Sequence, residues 1–96
     1  MDFKVLFSDQ ALSDLSGIIE YVAQRDPEAA LRVGRSLLDH VKILKTFPGA
    51  GTLVSKRPRI RKLFHTPYKI YYRIDTSRKV VEILHFWHGA RNEPGI

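Results

Sequence analysis

Residues Arg59–Arg91 read RIRKLFHTPYKIYYRIDTSRKVVEILHFWHGAR, and this stretch decides the fold. It divides into three strands joined by tight turns. Tyr68, Ile70, Tyr72 and Ile74 alternate with Lys69, Tyr71, Arg73 and Asp75, the period of a strand with two unlike faces. Asp75-Thr76-Ser77-Arg78 is a polar turn, because Asp and Ser side chains hydrogen-bond nearby backbone. Val80–Trp87 is apolar on both faces, with Val80, Leu84 and Phe86 against Val81, Ile83 and Trp87. That pattern belongs to a central strand covered on both sides. No other stretch supplies a comparable sheet, so function is expected on its charged face.

Upstream, Phe3–Phe7 alternates enough to form a short first strand. Ser8 is placed to cap a following helix and Asp9 to complement its positive end. Leu12, Leu15, Ile18, Ile19 and Val22 recur at spacings of three and four, an apolar stripe running to about Gln24. Gly17 within it costs about 1 kcal/mol relative to Ala, which suggests a closely packed neighbour. Arg25-Asp26-Pro27-Glu28 ends that helix and starts the next, with Asp26 as cap and Pro27 in the first turn. Ala30, Val33, Leu37, Leu38, Val41 and Leu44 continue the stripe toward Phe47-Pro48-Gly49. Helices joined so tightly fold back as an antiparallel hairpin.

Pro48–Pro58 (PGAGTLVSKRP) has no periodicity and reads as a loop. The expected architecture is α+β, in the order β-α-α-β-β-β. An N-terminal strand precedes an antiparallel helical hairpin packed on a small twisted antiparallel sheet. Tyr68–Asp75 and Lys79–Trp87 pair antiparallel, and the first strand joins at an edge or beside them. Leu15, Ile19, Leu37, Val41, Ile83 and Leu84 are expected in one core.

With 96 residues, 44% of them apolar, the chain is expected to form one globular domain spanning residues 1–96. Without cysteine it has no disulfide framework and no thiol chemistry, which suits a reducing compartment. MDFKVLF carries an early acid and no extended apolar run, the mark of neither a secretion signal nor a membrane span. A cytoplasmic location is expected. The net charge of +6 is unevenly spread: between Asp39 and Asp75 there are nine basic residues and no acid. Such asymmetry favours a polyanion or an acidic protein as partner.

Arg57, Arg59 and Arg61 alternate, so on a strand they project from one face, as do Lys69 and Arg73 on the next. Converging guanidinium groups bind phosphates and stabilise charge that develops during phosphodiester cleavage. The competing explanation is a basic strand edge that discourages aggregation. His85 and His88 flank Trp87, and His65 precedes Tyr68; each could act as general acid or base. His85 shares a face with Val81, Ile83 and Trp87, which fits a satisfied, partly buried histidine better than a catalyst. His40 reads as a surface residue. No metal site is expected, because residues three apart on a strand point to opposite faces and no carboxylate completes a ligand set. No glycine loop or nucleophile elbow implies a cofactor.

Pro67–Pro94, PYKIYYRIDTSRKVVEILHFWHGARNEP, with IRKL (Ile60–Leu63) before it, resembles the C-terminal half of the RelE/ParE toxin superfamily. SDQALSDLSGIIEYV (Ser8–Val22) is similar to that family's first helix, and FPGAG (Phe47–Gly51) to its post-hairpin loop. No single motif is specific; the ordered set, including the strand pair ending in His-Gly-Ala-Arg, is. The resemblance implies the toxin of a type II toxin–antitoxin, or plasmid stabilisation, module, held in a hetero-oligomer with an acidic antitoxin. RelE-like members cleave mRNA in the ribosomal A site with basic residues and usually a C-terminal Tyr or His. ParE-like members inhibit DNA gyrase without that catalytic set and are not nucleases. Lys62, Lys69 and Arg91 fall near the basic positions of the ribonucleases, and His88 is the candidate for the missing acid, since no tyrosine follows Tyr72. The long hairpin and that missing group favour the ParE-like branch. Arg59, Arg61, Lys69, Arg73, His85 and Arg91 are the candidates for target or antitoxin binding. A non-toxic nucleic-acid-binding module is the third reading, with Tyr71 as a stacking residue beside Lys69 and Arg73.

Overall fold

The computed structural model describes residues 2–95. Strand β1 (Lys4–Phe7) leads into helix α1 (Asp9–Ala23), and helix α2 (Pro27–Val41) follows after a short turn. Ser8 Oγ accepts from the Ala11 amide and Asp26 Oδ1 from the Ala29 amide, so both helices start where their caps dictate. The second helix gives way after Val41 to a 3₁₀ turn (Lys42–Lys45), and another 3₁₀ turn covers Pro48–Ala50. Strands β2 (Thr52–Val54), β3 (Arg57–His65), β4 (Tyr68–Asp75) and β5 (Val80–His88) complete the chain.

The sheet runs β1-β5-β4-β3-β2. Strands β2 to β5 pair antiparallel with their neighbours, whereas β1 lies parallel to β5, with Lys4 opposite Val80 and Phe7 opposite Ile83. The sheet is therefore mixed rather than wholly antiparallel. Parallel pairing needs a long crossover, which the hairpin and the rest of the sheet supply between β1 and β5. The stretch Pro48–Pro58 is also more ordered than a loop: it contains β2, and β3 has already begun at Arg57. A three-residue strand is too short to show a period.

One sheet face packs Leu63, Ile70, Tyr72, Val81, Ile83 and Phe86 against Ala11, Leu15, Leu37, Val41 and Leu44. The other carries a smaller cluster of Val54, Ile60 and Tyr71, with Leu84 and Trp87 against it. The division departs from strict alternation because β5 is bulged. Tyr72 pairs with Ile83 and Tyr71 with His85, which leaves Leu84 as the extra residue. Ile83 and Phe86 therefore share the helix-side core, while Leu84 and Trp87 belong to the far face, against the grouping read from the sequence.

In α1, Ala11 rather than Leu12 fills the core, and Leu12 is 49% exposed. Gly17 has open space where a Cβ would be; Gly34 is the helix-contact glycine, since a Cβ there would lie 2.9 Å from Ile19 Cδ1. Among the described residues no helix is long and apolar enough to cross a membrane.

Candidate functional site

Register separates the basic residues expected on one face. Arg61 lies opposite Tyr72, whose side chain enters the helix-side core, so Arg61 points to that side. Lys69 and Arg73 flank Tyr71 on β4 and belong to the other side, which neither α1 nor α2 covers. Arg57 leaves the row of Arg59 and Arg61, because the pairing of β2 with β3 shifts between Leu53 and Val54 and sets Arg57 opposite Val54.

Two groups result. At the Asp75–Arg78 end of the sheet, Arg59, Arg61, Arg73 and Arg78 line an open cleft of about 640 Å³ with Asp75 and Glu82. Much of its charge is engaged: Arg73 Nη2 lies 2.6 Å from Glu82 Oε1, and Arg61 Nη1 donates to the Gly51 carbonyl at 2.7 Å. At the opposite end, Lys62, Lys69 and Arg91 gather on the open face around Phe64 and Trp87. The Lys62 and Lys69 ammonium groups stand 5.6 and 5.7 Å from the Phe64 ring centroid, and the Arg91 guanidinium stacks 3.9 Å over Trp87.

Glu93, which the sequence reading passed over, joins this second group. Its carboxylate accepts from the Tyr71 hydroxyl and lies 3.3 Å from Lys62 Nζ. Those contacts, the tyrosine's first, hold its pKa below the ordinary glutamate range. Burial, and then Glu93, push the Tyr71 hydroxyl pKa up. With Tyr71 0% exposed, it cannot be the stacking platform the third reading required.

The histidines take separate places. His88 lies opposite Tyr68, on the helix side, with its ring edge-on to that tyrosine and Nδ1 accepting from the Ala90 amide. Its strand neighbour Trp87 lies opposite Lys69. His88 and Lys69 thus project from opposite faces. His85 Nδ1 meets Asp14 Oδ2 at 2.8 Å, and the Phe86 amide donates to the same oxygen, so this side chain ties α1 to the bulge. His40 is no plain surface residue: its Nδ1 lies 2.8 Å from Nδ1 of His65, whose Nε2 meets Ser36 Oγ at 2.7 Å. A contact between residues so far apart in sequence has no local signal.

The family profile described as ParE toxin of type II toxin-antitoxin system, parDE, matches residues 5–93. The chain belongs to this ParE toxin family. Toxin RelE1 of Caulobacter vibrioides is 33% identical over 93 residues, covering 93% of this chain and 96% of that protein. A chromosomal ParDE toxin–antitoxin system from P. aeruginosa superposes with a TM-score of 0.76 at 27% identity, over 90% of this chain and 95% of that one. The toxin–antitoxin complex RelBE2 of Mycobacterium tuberculosis superposes at 0.70 and 22% identity, over 92% and 99% of the chains, a likeness of fold.

In this ParE-family toxin the His40–His65 pair joins α2 to the end of β3 and predicts a pH dependence. Burial first, and then His40, hold the His65 pKa below 6.5. The unfolded chain therefore binds more protons than the folded one just below pH 6.5. The stability held by neutral His65 is complete above that pH and is lost as pH falls through the window beneath it. Melting temperatures from pH 8 to pH 5 should drop more for the wild type than for His65→Asn (buffers chosen to bracket the histidine range). Parallel curves would remove His65 as the cause.

Proposed function

We propose that this chain is a ParE-like inhibitor of DNA gyrase, neutralised by an acidic antitoxin, rather than a ribosome-dependent mRNA endoribonuclease. One observation carries the choice. A general acid must reach the same phosphate that the cations stabilise. Lys62, Lys69 and Arg91 gather on the open face, whereas His88 projects from the other and is held by Tyr68 and Ala90. Purified toxin should block supercoiling by gyrase and leave ribosome-bound mRNA intact. Transcript cleavage that disappears in Lys62→Ala or His88→Ala would overturn the reading in favour of the nuclease.

The antitoxin seat follows from an apolar groove of about 670 Å³ between the hairpin and β1. Ile19, Leu31, Gly34, Leu38 and Phe7 floor it; Arg35, Lys42 and Lys45 edge it, against a single acid, Asp39. An acidic amphipathic helix matches both the apolar floor and the positive rim. Leu31 is 68% exposed and so contributes little to folding. Leu31→Asp should weaken antitoxin binding by roughly 30-fold or more with little change in melting temperature. Unchanged affinity in a titration would move the antitoxin to another surface.

A further inference from the structure

We propose that the segment after β5, Gly89–Gly95, is a strap that keeps Glu93 in a phosphate site of the open face. A phosphate group, free or in a nucleic-acid backbone, takes that site when the strap lifts. The donor set is the first ground. Lys62 Nζ and the Tyr71 hydroxyl converge on one carboxylate, with Lys69 close enough to add its field. Two ammonium groups and a phenolic donor suit a phosphate, which offers more acceptor oxygens than a carboxylate. The flanking rings are the second ground. Phe64 is exposed and Trp87 half-buried beside the same lysines, which gives planar surfaces next to the anion site.

The root of the strap is anchored: the Gly89 amide donates to the Pro67 carbonyl at 2.7 Å and the Arg91 amide to the His88 carbonyl at 3.0 Å. The part that lifts is therefore the stretch beyond Arg91. Trp87 Nε1 donates to the Asn92 carbonyl at 2.6 Å, Arg91 stacks on the same indole, and Pro94 is buried. It has no helix or strand of its own, so it can open without disturbing the sheet. While it is closed, Glu93 competes at the high effective concentration of an intramolecular group, and affinity for any external anion falls by the open fraction. The inference does not rest on the gyrase reading. A plugged phosphate site would exist whichever cellular target the toxin has, and loss of gyrase inhibition would leave it standing.

Trp87 is the only tryptophan, so its emission reports the strap directly. Full-length wild type and Glu93→Gln, which keeps the side chain's shape and removes its charge, are titrated with a short single-stranded oligonucleotide and, separately, with inorganic phosphate. E93Q should bind the oligonucleotide roughly 10- to 100-fold more tightly than wild type. Its log–log salt slope should steepen by about 0.7 for one added contact. Adding Lys62→Ala and Lys69→Ala to E93Q should cancel the gain. Competition by inorganic phosphate assigns a free-phosphate site; oligonucleotide binding without it assigns the phosphodiester backbone. Equal affinity of E93Q and wild type, or a gain that survives loss of both lysines, overturns the proposal. If E93Q fails to fold, wild type decides: Trp87 emission that stays constant while oligonucleotide saturates the protein also overturns it.

Discussion

Replacing Leu37 with alanine is expected to lower the free energy of unfolding by about 2–5 kcal/mol. Leu37 is 0% exposed and sits on α2 within the cluster formed by both helices and five buried residues of β4 and β5, Ile70, Tyr72, Val81, Ile83 and Phe86. Truncation loses the transfer energy of the deleted carbons and leaves a cavity that helices fixed by caps at Ser8 and Asp26 cannot readily collapse. Leu84→Ala is the internal comparison. Leu84 lies on the other face and is only half-buried, so its truncation should cost clearly less. Urea denaturation checks both: the midpoint should move much further for Leu37→Ala, with an unchanged slope. Equal midpoints would mean that the two sheet faces are equally packed, against the burial seen.

The hairpin was legible because its signals are local. Ser8, Asp26 and Pro27 mark helix starts by chemistry that operates within one turn, and Leu15, Leu37 and Val41 lie where a 3.6-residue period puts them. The strands of the Arg59–Arg91 stretch were legible for the same reason, since alternation is a property of neighbours. What failed depends on distant partners. The bulge at Leu84 is a matter of register against Tyr71 and Tyr72, and it alone moves Trp87 to the opposite face from Ile83. The parallel seat of β1 depends on which strand edge remains free once β5 has paired with β4. His40 and His65 meet only because α2 ends near the β3–β4 turn.

The candidate site divides along the same line. Lys62, Lys69 and Arg91 gather on the open face, whereas His88 falls on the other side and Arg61 turns inward to the loop. Glu93 could have been suspected, as an acid close after a run rich in cations, although charge order alone does not reveal which cation it meets. For a protein of this family the distinction matters. The same basic residues bind an anion, or merely sit neutralised, according to whether an intramolecular carboxylate reaches them.

The post-hairpin turn supplies the second large effect. Tyr72 Oη donates to the Pro48 carbonyl at 2.7 Å and accepts from the Gly51 amide at 2.8 Å, while Arg61 donates to the Gly51 carbonyl. Burial raises the Tyr72 pKa, with Gly51 and Arg61 acting against the shift. Gly51 has an ordinary extended backbone, so space rather than conformation demands glycine here. A Cβ would lie 2.6 Å from the Lys62 carbonyl and 2.8 Å from both Cε1 and Oη of Tyr72. The carbonyl belongs to a paired strand and the hydroxyl is bonded on two sides, so neither yields cheaply. Gly51→Ala should therefore cost about 2–4 kcal/mol, overpacking added to a broken hydrogen bond. Tyr72→Phe should cost about 1–3 kcal/mol, because it leaves a buried amide and a carbonyl unpaired. The pair is coupled: once the hydroxyl is gone, one of the three clashes disappears and the amide bond can no longer be broken by alanine. The double variant should be more stable than the sum of the single losses predicts, by about 0.5–3 kcal/mol. Strict additivity in denaturant titrations would show that the Gly51 restriction comes from the Lys62 backbone alone and that the tyrosine clamp holds the turn independently of it.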